Sequence, residues 1–77
     1  MRVLIENIIF NVIKVEKSDC EPILYITVSL LSPNKYRIYA IKYSSKYYMT
    51  EAFFNILHKG YCSTDHYSVE EISLHDI

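Results

Sequence analysis

The 77-residue chain contains no tryptophan, one glycine, two prolines and two cysteines. A single glycine rules out the glycine-rich loops that cradle phosphates or build oxyanion holes, and no Walker, HExxH or GxSxG pattern occurs. So little proline and glycine also argues against a disordered or linker-like chain. Two cysteines, Cys20 and Cys62, are too few for the disulfide scaffold of a small secreted domain, so free thiols in a reducing compartment are expected. Apolar runs such as Val3–Ile5 and Ile8–Phe10 are only a few residues long, far short of the roughly 18 to 20 that span a bilayer. Glu6 and Asn7 interrupt the first run before it can serve as the core of a signal peptide. A cytoplasmic protein with no membrane association is expected. The net charge of −1 excludes the uniformly basic coat of a generic nucleic-acid binder.

Hydrophobic residues, by contrast, make up 51 % of the chain, and eight tyrosines supply most of its aromatic content. That density suits one small core, and the length suits one domain over residues 1–77. Ile, Lys, Asn and Tyr are abundant, which points to an AT-rich genome such as that of a low-GC bacterium, its phages or a large DNA virus.

The segment Ile8–Lys17 is rich in β-branched residues, and simple alternation puts Ile9, Ile13 and Val15 on one face and Ile8, Phe10 and Val12 on the other. Ile23–Leu31 alternates clearly, Ser32-Pro33-Asn34-Lys35 supplies turn chemistry, and Tyr36–Tyr43 resumes the strand. Pairing Leu31 with Tyr36 sets Val28 opposite Tyr39, Ile26 opposite Ile41 and Leu24 opposite Tyr43. The other face then carries Tyr25, Thr27, Ser29, Tyr36, Ile38, Ala40 and Lys42. Thr50 as N-cap, Glu51 in the first turn and Gly60 as C-cap predict a helix over Glu51–Lys59, with Ala52, Phe53, Ile56 and Leu57 toward the sheet. Val69–Ile77 reads as an edge strand with Ile72 and Leu74 inward and Glu71, Ser73 and His75 polar. The fold class expected is α+β: an antiparallel four-stranded sheet in the order β-β-β-α-β, packed against one short helix.

His58, Cys62, Asp65 and His66 are zinc-binding residue types, but Gly60 breaks the helix between the first two and no second Cys-x-x-Cys half is present. Surface residues of a loop are the better reading, and no metal or cofactor is expected. Cys62 with His66 lacks the oxyanion site that a thiol nucleophile requires, and Glu70 and Glu71 point to opposite faces of a strand. An enzyme is not expected.

Residues 35 to 59 carry a net charge of +4 and residues 60 to 77 one of −4, so charge is segregated along the chain. Tyrosines interleave with cations in the positive half. The candidate binding residues are Tyr25, Tyr36, Arg37, Ile38, Lys42, Lys46, Tyr47 and Tyr48. Tyrosine offers rigid area with a polar tip, which suits a protein interface. The expected function is a small non-catalytic protein-binding module, such as a virus- or mobile-element-encoded regulator or inhibitor of a larger host protein. Stacking of single-stranded nucleic acid on the same tyrosines, with lysines on the phosphates, is the alternative. A homodimer is a further way for so small a sheet to complete its core.

Overall fold

The computed structural model describes residues 1–30, 35–61 and 67–72. Five strands and one helix follow in the order β1 (Arg2–Ile5), β2 (Ile8–Lys17), β3 (Ile23–Ser29), β4 (Tyr36–Tyr43), α1 (Lys46–Lys59) and β5 (Tyr67–Ile72). The strands form one antiparallel sheet in sequence order, β1 to β5. The class is α+β as expected, with five strands where four were read.

The extra strand is β1. Glu6 and Asn7 are not a mere polar interruption but a two-residue hairpin loop, both at positive φ (50° and 67°), which sets Ile5 against Ile8. Positive φ at both loop positions matches the right-handed twist of the flanking strands and usually selects Asn-Gly. Asn7 fits that preference; Glu6 does not, so the sequence gives only half of the signal.

In β2, Val12 pairs with Val28 but Lys14 pairs with Thr27, so Ile13 is an extra residue, a β-bulge. The bulge overturns the simple alternation predicted for this strand. Phe10, Val12 and Val15 all join the core, whereas Ile9 and Ile13 are exposed.

The β3–β4 hairpin differs from the expected register by two residues. Leu24 lies opposite Ile41, Ile26 opposite Tyr39 and Ser29 opposite Tyr36, and the amide of Leu30 donates to the carbonyl of Lys35 at 3.1 Å. A shift of two leaves every side chain on its predicted face, because strand side chains repeat every two residues. Hydrophobic pattern therefore could not distinguish the two registers.

The helix starts five residues before the predicted position. Ser45, not Thr50, is the N-cap, and its hydroxyl accepts from the amide of Tyr48 at 3.4 Å. Glu51 consequently lies beyond the first turn, which holds no acidic residue. The C-terminus is as read: Gly60 is left-handed, at φ 76°, and its amide donates back to the carbonyls of Asn55 and Ile56. Met49, Ala52 and Ile56 are the buried helix residues, with Phe53 packed beside them. Leu57, expected inward, is 48 % exposed, because the longer helix centres its apolar stripe on Met49 instead.

The core lies between α1 and one sheet face, around Val3, Val12, Leu24, Ile26, Ile41 and Ile56. Strand β5 contributes Val69 and Tyr67, paired with Ile41 and Tyr43. Ile72, expected to point toward the helix, pairs with Ile38 and lies on the opposite face; Leu74 lies outside the described residues. Lys17 closes one margin of the core, its ammonium 5.0 Å from the Phe53 ring centroid. Among the described residues no helix is long and apolar enough to cross a membrane.

Candidate functional site

Helix α1 covers one face of the sheet, and among the described residues no element covers the other. Three rows of cross-strand neighbours run over that outer face. They are Lys14–Thr27–Ile38–Ile72, Glu16–Tyr25–Ala40–Glu70 and Ile23–Lys42–Ser68. Each row alternates with a core row, so hydrophobic pattern on the helix side fixes what the outer side displays.

The outer face has an apolar floor. Ile38 is only 6 % exposed although none of the described elements lies over it, and Ile23 and Ala40 are similarly buried among their neighbours. A hollow of about 490 Å³ opens over part of this floor, lined by Lys14, Glu16, Asp19, Tyr25, Thr27 and Ile38. Lys14 and Glu16 form an ion pair on its rim, both largely in solvent. The combination is a mostly apolar base with charges of both signs around it.

The eight candidate residues do not form one surface. Tyr25, Tyr36, Ile38 and Lys42 share the outer face: Tyr25 is half-buried, Tyr36 is 47 % exposed, Lys42 is exposed and Ile38 is buried in the floor. Arg37 falls on the helix-side parity, opposite Val28, and is exposed. Its guanidinium stands 3.6 Å from Glu71, and the Tyr39 side chain also bonds to it. The Tyr39 bond first and the Glu71 charge second raise the Arg37 pKa above its already high value. A cation with a raised folded pKa loses its favourable interactions only as pH rises through that value, so Arg37 stays charged across any working range. Lys46, Tyr47 and Tyr48 occupy the first turn of α1. Tyr48 packs on the core, and Tyr47, largely in solvent, meets it edge-on with ring centroids 5.5 Å apart.

Sequence reasoning missed the five members that β2 and β5 add to the outer face: Lys14, Glu16, Ser68, Glu70 and Ile72. The alternation of β2 and β5 could have found them, but the bulge at Ile13 and the start of β5 at Tyr67 had to be known first. Pairing of β4 with β5 also sets Arg37 of the basic half beside Glu71 of the acidic half.

Of the H-x3-C-x2-D-H residues, His58 lies on the exposed side of α1 with its ring 4.3 Å from that of Phe54. Cys62, Asp65 and His66 lie outside the described residues. Among the described residues no three His, Cys, Asp or Glu side chains are grouped to hold a metal ion, and Cys20 is an exposed free thiol. Compared with protein-family models, curated proteins and solved structures, the chain matches none.

Proposed function

We propose that the chain is a protein-binding module that docks a larger partner on the outer sheet face, around Tyr25 and Tyr36. The observation that carries this reading is the row Glu16–Tyr25–Ala40–Glu70. A tyrosine half-buried beside a hollow, with an apolar floor and a mixed-charge rim, has the composition of a protein interface. Nucleic acid is the weaker occupant of the same face. Carboxylates lie on both sides of Tyr25 in that row, and phosphates approaching a base stacked there would meet them at close range.

A photo-reactive phenylalanine analogue at position 36, expressed in the cells the protein comes from, tests the reading. One discrete protein adduct is expected, lost when Tyr25→Ala is added and not formed from position 47. Adducts equally abundant from positions 36 and 47 overturn the assignment of the face. Binding of labelled single-stranded DNA or RNA that weakens steeply between two salt concentrations overturns the choice of partner.

A further inference from the structure

The hairpin β1–β2 stands at one end of the sheet: Val3, Ile5 and Val12 close its helix side, and its tip is exposed on both sides. Ile8 and Ile9 point to opposite faces, and both are exposed, Ile9 by 60 %. On the outer face Leu4 pairs with Ile9, and on its other side Leu4 bridges to Tyr61 just past the helix. Tyr61, Leu4 and Ile9 thus form an apolar row across three chain segments, all three exposed.

The polar residues on either side of this row are arranged as counterparts. Arg2 lies on β1 two residues before Leu4, and Glu6, in the hairpin loop, two residues after it. Asn7, also in the loop, lies two residues before Ile9, and Asn11, on β2, two residues after. A two-fold axis lying along the row Tyr61–Leu4–Ile9 reverses the strand direction, so it sets Arg2 over Glu6 of a second copy and Asn11 over its Asn7. Opposite charges and side-chain amides then meet between the strand residues of one copy and the loop residues of the other, each pair twice. Asn11 uses one N–H on the hydroxyl of Ser29 at 3.0 Å, which leaves its carbonyl oxygen and second N–H for the partner.

We propose that the chain forms an isologous homodimer by packing the Tyr61–Leu4–Ile9 row of one copy on the same row of another. The apolar row with its polar flanks offers roughly 400–500 Å² per copy, near the lower bound of a specific interface, so association in the micromolar range is expected. A notch of about 300 Å³ lined by Val3, Leu4, Ile9 and Gly60 adjoins the row and gives the partner's side chains a depression to enter. A side chain at position 60 would crowd that notch, because its Cβ would lie 3.1 Å from the carbonyl of Arg2. The dimer does not rest on partner docking at Tyr25. Lys14, on the rim of that hollow, lies five positions along β2 from Ile9, roughly 15 Å away at the rise of a strand, so both contacts fit on one molecule.

Charge reversal tests the geometry. Sedimentation velocity over about 5 to 500 µM is expected to show the wild-type chain moving from monomer to dimer. Arg2→Glu and Glu6→Arg, each alone, should weaken association at least tenfold, since each sets like charges over one another. An equimolar mixture of the two variants should associate again, because each mixed pair sets glutamates over arginines at both positions. Ile9→Lys, at an exposed position where the fold is indifferent, should leave a monomer with an unchanged far-ultraviolet dichroism spectrum. A wild-type chain monomeric throughout that range overturns the proposal. So does a mixture that associates no better than its components, or an Ile9→Lys chain that dimerises like the wild type.

Discussion

The amide of Leu4 donates a hydrogen bond to the carbonyl of Gly60 at 3.0 Å, joining the first strand of the sheet to the end of the helix. Leu4 and Gly60 are 56 positions apart in sequence, so this bond closes most of the chain into one loop. It forms because Gly60 turns the backbone left-handed, which ends α1 and carries Tyr61 alongside β1. The same residue therefore caps the helix and protects the outer edge of β1, whose unpaired amides would otherwise invite other strands.

Replacement Gly60→Ala is expected to lower stability by about 1–2 kcal/mol, from the cost of a side chain at positive φ together with its approach to the Arg2 carbonyl. Urea unfolding should show a lower midpoint with an unchanged slope. A domain of this size holds roughly 4–12 kcal/mol in total, so the loss is large enough to read. An unchanged midpoint would mean that the helix does not end against β1 in this way.

The N-cap supplies a second test, because two candidates lie five residues apart. Ser45 accepts from the Tyr48 amide, whereas Thr50 stands inside the helix and is exposed. Ser45→Ala should cost about 1 kcal/mol and Thr50→Ala close to nothing. In the same turn Lys46 places a cation at the positive end of the helix dipole, so Lys46→Glu should stabilise by about 0.3–1 kcal/mol at low salt and by less at high salt. Thermal melts of the three variants at two ionic strengths check both statements. A larger loss at Thr50 than at Ser45 would return the start of the helix to Thr50.

What was legible in the sequence was decided by period, and what was not was decided by events that break a period. The faces of β3 and β4 could be read because Leu24, Ile26 and Val28 alternate with Tyr25, Thr27 and Ser29 without interruption. Their register could not, since pairing Ile26 with Tyr39 or with Ile41 buries the same set. Gly60 was legible because left-handed backbone at a helix end has few other solutions. Glu6-Asn7 was not, because a glutamate at positive φ gives no local signal and only the pairing of Val3 with Phe10 makes that turn worthwhile. The outer face was half legible: Tyr25, Tyr36 and Lys42 followed from the hairpin, but Glu16 and Glu70, which bear on the choice between protein and nucleic acid, depended on neighbouring strands. Lys46, Tyr47 and Tyr48 looked like a continuation of the basic tyrosine segment in the sequence. The Ser45 cap turns them into a helix and away from Tyr36.

The bulge makes the sharpest distinction between the alternating pattern and the fold. Without it, Ile13 and Val15 would share a face and Val12 would lie on the other. With it, Val12 and Val15 enter the core together and Ile13 is left 54 % exposed. Val12→Ala removes two methyl groups from a site that is almost fully buried and should cost about 2 kcal/mol, through lost transfer energy and an unfilled cavity. Ile13→Ala removes more carbon from a site half in water, and should cost less than about 1 kcal/mol. The order is the test, because side-chain size alone predicts the reverse. Denaturant unfolding of the two variants with Val15→Ala as a third decides it. If Ile13→Ala proves the most damaging, then β2 runs without its extra residue, Ile13 lies in the core beside Val15, and Val12 moves to the outer face with Lys14 and Glu16.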